Sequence, residues 1–242
     1  AAGVFAACNV AEMQPGIKIL LMEKSNKMMS KILISGGGRC NVTHACFDPK
    51  QLVKNYPRGQ KELLGSFYQF QPSDTIDWFE RHGVMLKTEN DGRMFPTTDK
   101  STTIIDCLNR CMKEGNIEIM TSQHIEQISR EGENWTLTTS ASVIYTSKSL
   151  LIATGSAPTM IEQLRKMGHR IIPQVPSLFT FQINDSRISG LQGISVPEAI
   201  VRIEGTSFEA AGPLLITHWG LSGPGILKLS AFAARELADL NY

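Results

Sequence analysis

"AAGVFAACNVAEMQPGIKILLMEK" (residues 1–24) is the stretch on which the fold turns. Its first half is rich in alanine and other small residues and predicts a helix already under way at residue 1. "IKILLMEK" (17–24) then forms a nearly continuous apolar run, the pattern of a strand buried on both faces of a parallel sheet. The run closes on Glu23, 20 residues after Gly3. In a dinucleotide-binding βαβ unit the last glycine of the turn opens the first helix. An acidic residue about 20 positions later takes the ribose hydroxyls. Gly3 and Glu23 suit those two roles, although an ordinary helix followed by a strand would show the same two residues. On the dinucleotide reading, the first strand and first two glycines lie upstream of residue 1, so the chain is expected to be truncated there.

The remaining pattern extends this unit. "PSDTIDWFERHG" (72–83) predicts a helix with a Ser-Asp cap, apolar Ile76 and Phe79, and a stop at Gly83. "VMLKTENDGRMFP" (84–96) predicts a hairpin around Asp91-Gly92. "STTIIDCLNRCMKEG" (101–115) predicts an amphipathic helix with Ile104, Leu108 and Cys111 on one face. Residues 117–155 alternate short strands with turns and close on a last apolar strand, "LLIATG" (150–155). Parallel strands, helices and a small β-meander together predict a doubly wound α/β, Rossmann-like domain. Pro173 and Pro176 mark its boundary, giving domains at 1–176 and 177–242. The second is β-rich, with strands in "PEAIVRIEG" (197–205) and "GPLLITHWG" (212–220), then a helix over 223–240.

Composition narrows the function. With 42% hydrophobic and 19% charged residues the chain can build a packed core. Its net charge of +1, without a basic block, argues against a nucleic-acid partner. No apolar run reaches the roughly 18 residues of a membrane span, and the start lacks the marks of a signal peptide. The cysteines are Cys8, Cys40, Cys46, Cys107 and Cys111, with no C-x-x-C spacing. Reduced thiols in a cytoplasmic protein are expected. Cys107 and Cys111 share a helix face, which leaves a metal or redox pair as the alternative. Cys40, His44 and Cys46 match no zinc spacing, and no metal site is expected.

"KILISGGGRCNVTH" (31–44) fits neither the P-loop nor the usual dinucleotide glycine pattern. Ser35 to Gly38 offers a flexible backbone that a ligand can approach closely. Arg39 carries a planar fork suited to a pyrophosphate or carboxylate. Asn41 and Thr43 can cap the next segment or bind a ligand. A structural glycine turn with a surface arginine is the alternative.

The same stretch closely resembles the signature of a bacterial flavoprotein family. Its members are described as NAD(P)/FAD-dependent oxidoreductases or aminoacetone-oxidase-like FAD-binding enzymes, with relatives linked to bile-acid reduction. Three further segments resemble that family, in its order: "DGRMFPTTDKS" (91–101), "LLIATG" (150–155) and "THWGLSGPGIL" (217–227). The resemblance implies an FAD-binding Rossmann-like fold with an inserted β-rich domain. It places Gly3 at the end of the diphosphate turn and Glu23 on the adenosine ribose. Gly36, Gly37, Gly38, Arg39, Cys40, Asn41 and Thr43 would line the FAD cleft, next to Lys31. Ile125, after His124, would meet the adenine through its backbone, and Thr154 and Gly155 would lie close to the cofactor. Met29-Ser30-Lys31 stands where members often carry Gly-Arg-Lys, so no arginine contact is carried over there. Full-length members continue past residue 242, and the chain is expected to be a fragment that is inactive alone.

The remaining candidates are single residues. His218 could transfer protons near the flavin or simply bond a glycine turn. Cys40 could be redox-active or structural. Arg93 could bind an anionic group or be a solvated hairpin arginine. His44, His82 and His169 suit surface or capping positions. The expected activity is an FAD-dependent hydride transfer through flavin N5, with NAD(P)H as a possible electron donor and a small molecule as substrate. A non-catalytic remnant or interaction module is the alternative from another class. A plain NAD-binding dehydrogenase would use Glu23 but leave residues 36–38 without a role.

Overall fold

A computed structural model describes residues 1–242. The chain divides into two compact units, Ala1–Ile171 and Ile172–Tyr242.

The first unit opens with α1 (Ala2–Met13), which buries Val4, Ala7 and Cys8, and continues into β1 (Leu20–Met22). α2 (Ser30–Ile34) ends in a tight 3₁₀ turn over Ser35–Gly38. β2 (Thr43–His44), α3 (Pro49–Leu52) and α4 (Gln60–Gln69) follow. Next come α5 (Pro72–Arg81), β3 (Leu86–Thr88), β4 (Arg93–Pro96) and α6 (Ser101–Glu114). β5 (Glu118–Met120) pairs in parallel with β1, Leu20 opposite Glu118 and Met22 opposite Met120. β6 (Ile125–Glu131), β7 (Asn134–Thr139) and β8 (Ile144–Ser147) form an antiparallel meander, and α7 (Pro158–Lys166) follows.

The periodic helices formed as predicted. α6 buries Ile104, Cys107, Leu108, Cys111 and Met112 along one stripe, facing α1. Its core partners include Val4, Ala7, Cys8, Trp78, Phe79 and Ile117. Phe5, Trp78 and Phe79 add tilted and edge-on ring contacts with centroids 4.8–6.4 Å apart, a favoured geometry for aromatic pairs.

Four expectations need correction. The predicted strand 17–24 has only three ladder residues, and Ile17 and Leu20 are exposed, so it is not buried on both faces. "LLIATG" carries no ladder hydrogen bonds, because β1 pairs only with β5 and no other strand reaches residues 150–155. The α5 cap is Gln71, whose N–H donates to Asp74 Oδ2 at 2.7 Å, with Pro72 as the first helical residue rather than Ser73-Asp74 as caps. The helix expected over 223–240 breaks at Ala233 into two.

The second unit contains β9 (Phe181–Gln182), β10 (Ser195–Arg202), β11 (Glu209–Ile216) and β12 (Gly220–Ser222), then α8 (Pro224–Phe232) and α9 (Ala234–Asp239). The strands form one antiparallel sheet in the order β10-β11-β12-β9, and α8 packs on β11. "GLSGPG" (220–225) makes that packing possible. A Cβ at Gly223 would lie 2.7 Å from the Pro213 carbonyl oxygen and one at Gly225 3.0 Å from the Gly212 carbonyl oxygen. At both positions backbone meets backbone with no space for a side chain.

Candidate functional site

The C-terminal end of β1 is where an open α/β sheet of this kind binds its ligands. Glu23 stands one residue beyond the strand. Its N–H donates to Met120 O at 2.9 Å, and its carbonyl accepts from Gln123 N at 2.9 Å. Ser122 N donates to Ser25 O at 3.0 Å. These bonds zip residues 23–25 to 120–123 and bring Glu23 next to the His124-Ile125 segment. Glu23 Oε1 accepts from the N–H of Ser25 at 2.9 Å and lies 2.9 Å from its hydroxyl, which also reaches Lys27 O at 2.6 Å; this orients the carboxylate and leaves Oε2 without a partner. His124 Nε2 is buried without a hydrogen-bond partner, and Ser140 N donates to its carbonyl at 2.8 Å.

Gly3 lies on the same end. A Cβ there would sit 3.3 Å from the Ala153 Cβ and 3.8 Å from Leu21 Cδ1. The glycine therefore lets α1 approach the 151–155 segment closely, the role of the third glycine in a dinucleotide turn. Thr154 and Gly155 follow Ala153 directly. Both are exposed, and Gly155 is left-handed at φ 65°.

The loop after α2 is built from left-handed residues. Gly36, Gly37, Gly38 and Cys40 have φ of 55°, 69°, 83° and 63°. Such runs occur at functional sites, where the surroundings over-determine them. The three glycines are not equivalent. A Cβ on Gly36 would lie 2.8 Å from Asn41 N and 3.0 Å from Phe95 Cε1, whereas Cβ positions on Gly37 and Gly38 meet nothing within 4 Å. Gly36 closes the turn, and Gly37 and Gly38 present bare backbone to open space. Cys40 is buried, and its N–H donates to Ser35 O at 3.0 Å.

The loop runs straight into a three-stranded sheet. Thr43 pairs with Met94 and His44 with Arg93, while β3 takes the other edge of β4. Two sequence motifs more than 40 residues apart thus form one ladder. Asn41, with its amide nitrogen turned toward β4, donates to Thr43 O at 2.9 Å and Met94 O at 3.1 Å. Arg39 Nη1 donates to Glu89 Oε1 at 2.5 Å and lies 3.6 Å from Asp99 Oδ1, and its guanidinium carbon stacks 4.0 Å above the Phe95 ring. Lys87 also bonds Asp99, and these two cations hold its carboxyl below the usual range, Lys87 foremost. Arg39 and Asn41 brace the loop on the hairpin.

Lys31 is exposed on α2 and makes no hydrogen bond or ion pair. No hydrogen bond links the 35–43 loop to Glu23 or Ile125, although Ile32 and Cys40 share one core with Val4 and Ala7 of α1. Arg93 bonds Asp91 at 2.7 Å within its own hairpin. His44 Nε2 lies 3.1 Å from Asp91 O, against the left-handed Gly92. In the second unit His218 is exposed in a turn whose bonds are made by Thr217, whose N–H and hydroxyl reach Gly220 O at 2.8 and 3.1 Å. A cleft of about 480 Å³ opens elsewhere, lined by Asn9, Phe70, Asp74, Asp77, Trp78 and Arg81. It holds none of the residues above and its carboxylates would repel a pyrophosphate. The braces Glu89, Asp99 and Phe95 were not legible as site residues. Phe95 and Asp99 fall in the family-like segment 91–101, and Glu89 lies outside it.

The residues at the β1 end fit a dinucleotide cofactor: an oriented carboxylate with one free oxygen and a glycine at the helix–chain crossing. No helix is long and apolar enough to cross a membrane. Among curated proteins, the chain is 30% identical over 243 residues to "Ribosomal RNA dihydrouridine synthase" of Escherichia coli, covering 96% of this chain and 58% of that protein. It is 28% identical to the protein of the same name from Haemophilus influenzae, covering 96% and 59%. It is 22% identical to "3-dehydro-bile acid delta(4,6)-reductase" of Clostridium scindens, covering 99% and 60%. The chain thus spans well under two thirds of the length of these relatives. Residues 1–226 match the HI0933-like protein Rossmann domain, and the chain belongs to that family.

Proposed function

We propose that the protein binds FAD and reduces a carbon–carbon double bond conjugated to a carbonyl, with NAD(P)H as electron donor. The observation that carries the cofactor is the pair formed by Glu23, fixed at the end of β1 with a free Oε2, and Gly3, packed on Ala153. Glu23 would take the adenosine ribose hydroxyls and Gly3 would set the helix for the diphosphate. Ile125 backbone would border the adenine. Gly37 and Gly38 would give the ring system close backbone approach, with Arg39 and Asn41 holding the loop in place. Lys31, Thr43, Thr154 and Gly155 complete the proposed lining. The bound flavin supplies hydride transfer. The substrate class is supported by the relatives' names: a dihydrouridine synthase and a delta(4,6)-reductase both describe saturation of a double bond in conjugation with a carbonyl.

The test is anaerobic reduction of the FAD-loaded, full-length protein by NADH and by NADPH, followed by reoxidation with cyclic enones and with uridine-containing RNA. Reoxidation by either acceptor class, with the saturated product identified by mass spectrometry, supports the proposal. Reoxidation by neither acceptor class, or reduction of the oxidised flavin by amines in place of NAD(P)H, would overturn it. A second reading rests on the unpaired 151–155 segment and the one-sided pairing of β1. A sheet edge left open in this way suits an interaction module without catalysis.

A further inference from the structure

Outside the cofactor end of the sheet, three helices bring metal-ligating side chains together. α1 supplies Cys8 and Glu12, and α6 supplies Cys107 and Cys111. Each pair is four residues apart, so both members share one face of their helix. His82 caps the C-terminal end of α5. All three thiols are buried and form no disulfide, and they belong to one core cluster. The ligand atoms of Glu12, His82 and Cys111 lie within 4.8 Å of one another.

The hydrogen bonds of His82 point to a cation. Its Nδ1 lies 2.6 Å from the Trp78 carbonyl oxygen, which can only accept, so Nδ1 carries a proton. Its Nε2 lies 2.7 Å from Glu12 Oε1, another acceptor. A neutral ring would therefore aim a lone pair at a carboxylate. The contact is favourable only if Nε2 is also protonated or if a metal ion takes both atoms. The Nδ1–H to carbonyl bond is also the usual outer-sphere support of a metal-bound histidine.

We propose that Glu12, His82 and Cys111 bind one borderline-soft divalent cation, Zn²⁺ by its ligand preference, which ties α1, α5 and α6 together. A carboxylate, a thiolate and a neutral imidazole balance the 2+ charge, so the cluster, which runs from buried Cys111 to exposed Glu12, is left without net charge. Zn–N and Zn–O bonds of about 2.0–2.2 Å and Zn–S bonds of about 2.3 Å imply ligand separations of roughly 3.3–3.6 Å in a tetrahedron. The Glu12–His82 pair opens slightly and the sulfur closes in, both within the reach of side-chain rotation. The exposed side of Glu12 leaves the fourth position to a water molecule. The site stands independently of the proposed redox activity.

The experiment uses the full-length protein, stripped with a chelator and equilibrated with Zn²⁺ and separately with Co²⁺. Expected are one tightly held Zn²⁺ per chain and a thiolate-to-cobalt charge-transfer band. Cys111→Ser abolishes the band. Glu12→Gln weakens Zn²⁺ binding at least ~10-fold, the lower end of what even outer-sphere changes cost. Cys46→Ser, away from the cluster, changes neither. Glu12 lies at the helix surface, so Glu12→Gln keeps the test decisive if Cys111→Ser does not fold. No stoichiometric binding, a cobalt spectrum without the thiolate band, or Zn²⁺ affinity unmoved by Glu12→Gln would overturn the site and leave a His82–Glu12 ion pair.

Discussion

Alanine at Gly36 and alanine at Gly37 are the same chemical change one residue apart, and the structure gives them different costs. Both positions are left-handed, at φ 55° and 69°, where a Cβ costs about 1–2 kcal/mol. At Gly37 that is the whole native-state cost, because the Cβ meets nothing within 4 Å. At Gly36 the Cβ would press on Asn41 N at 2.8 Å and Phe95 Cε1 at 3.0 Å. Neither neighbour can withdraw: one is backbone, and Phe95 is fully buried beneath the Arg39 guanidinium. Overpacking of this kind adds about 1–3 kcal/mol. Any gain from stiffening the unfolded chain is the same for both and cancels in the comparison. Gly36→Ala should therefore be the less stable of the two by about 1–3 kcal/mol, read as the difference in urea midpoint at constant m-value. The FAD affinities should rank differently. Gly37→Ala, which carries only the left-handed cost of about 1–2 kcal/mol, should lose affinity because its methyl group stands on the face proposed for the cofactor. Equal stabilities of the two variants would refute the assignment of Gly36 to packing, and unchanged FAD affinity in Gly37→Ala would refute the open cradle.

Other expectations follow from single contacts. In Gly92→Ala the Cβ would fall 2.7 Å from His44 Nε2 at a residue with φ 84°. The imidazole can swing away, so the cost is the left-handed Cβ plus one hydrogen bond, about 2–3 kcal/mol by denaturant titration. Asp185 is held down to about 2 by the Arg187 side chain and backbone N–H. A carboxylate whose folded pKa is lowered contributes stability above its unfolded value, near 3.9, and loses it as pH falls through about 2. Arg187→Gln should return the Asp185 titration toward the ordinary value, seen by carboxyl ¹³C NMR. Burial pushes the Cys8 thiol up to about 11 and that of Cys111 to about 12. A thiol reagent at neutral pH should therefore label the partly exposed Cys46 first and reach the buried cysteines only after denaturation.

Local signals were legible in the sequence and non-local pairings were not. The stripes of α5 and α6 and the Asp91-Gly92 hairpin declare themselves within a dozen residues, by period and turn chemistry. The 20-residue interval from Gly3 to Glu23 marked a strand end that the structure confirms as parallel to β5. By contrast, Arg39 and Glu89 are 50 positions apart, and nothing local links them. The sequence offered Arg39 as a pyrophosphate or carboxylate contact, and the fold pairs it with the Glu89 carboxylate. α3 and α4 escaped notice. α4 buries no residue and so carries no core-facing stripe to recognise. The "LLIATG" run looked like a strand by composition, but a strand also needs a neighbour, and none pairs with it. His82 suited a cap by position, and it is one. Its meeting with Glu12 and Cys111 depends on three helices converging, which no linear spacing encodes.

Visible-absorption titration of the purified full-length protein with FAD, alongside Glu23→Ala, tests the flavoprotein assignment most directly. The structure predicts saturable binding with a resolved flavin band at one FAD per chain, and a loss of affinity of about tenfold or more in Glu23→Ala as a charge-assisted hydrogen bond to ribose is removed. No flavin binding after reconstitution, or full affinity in Glu23→Ala, would contradict it.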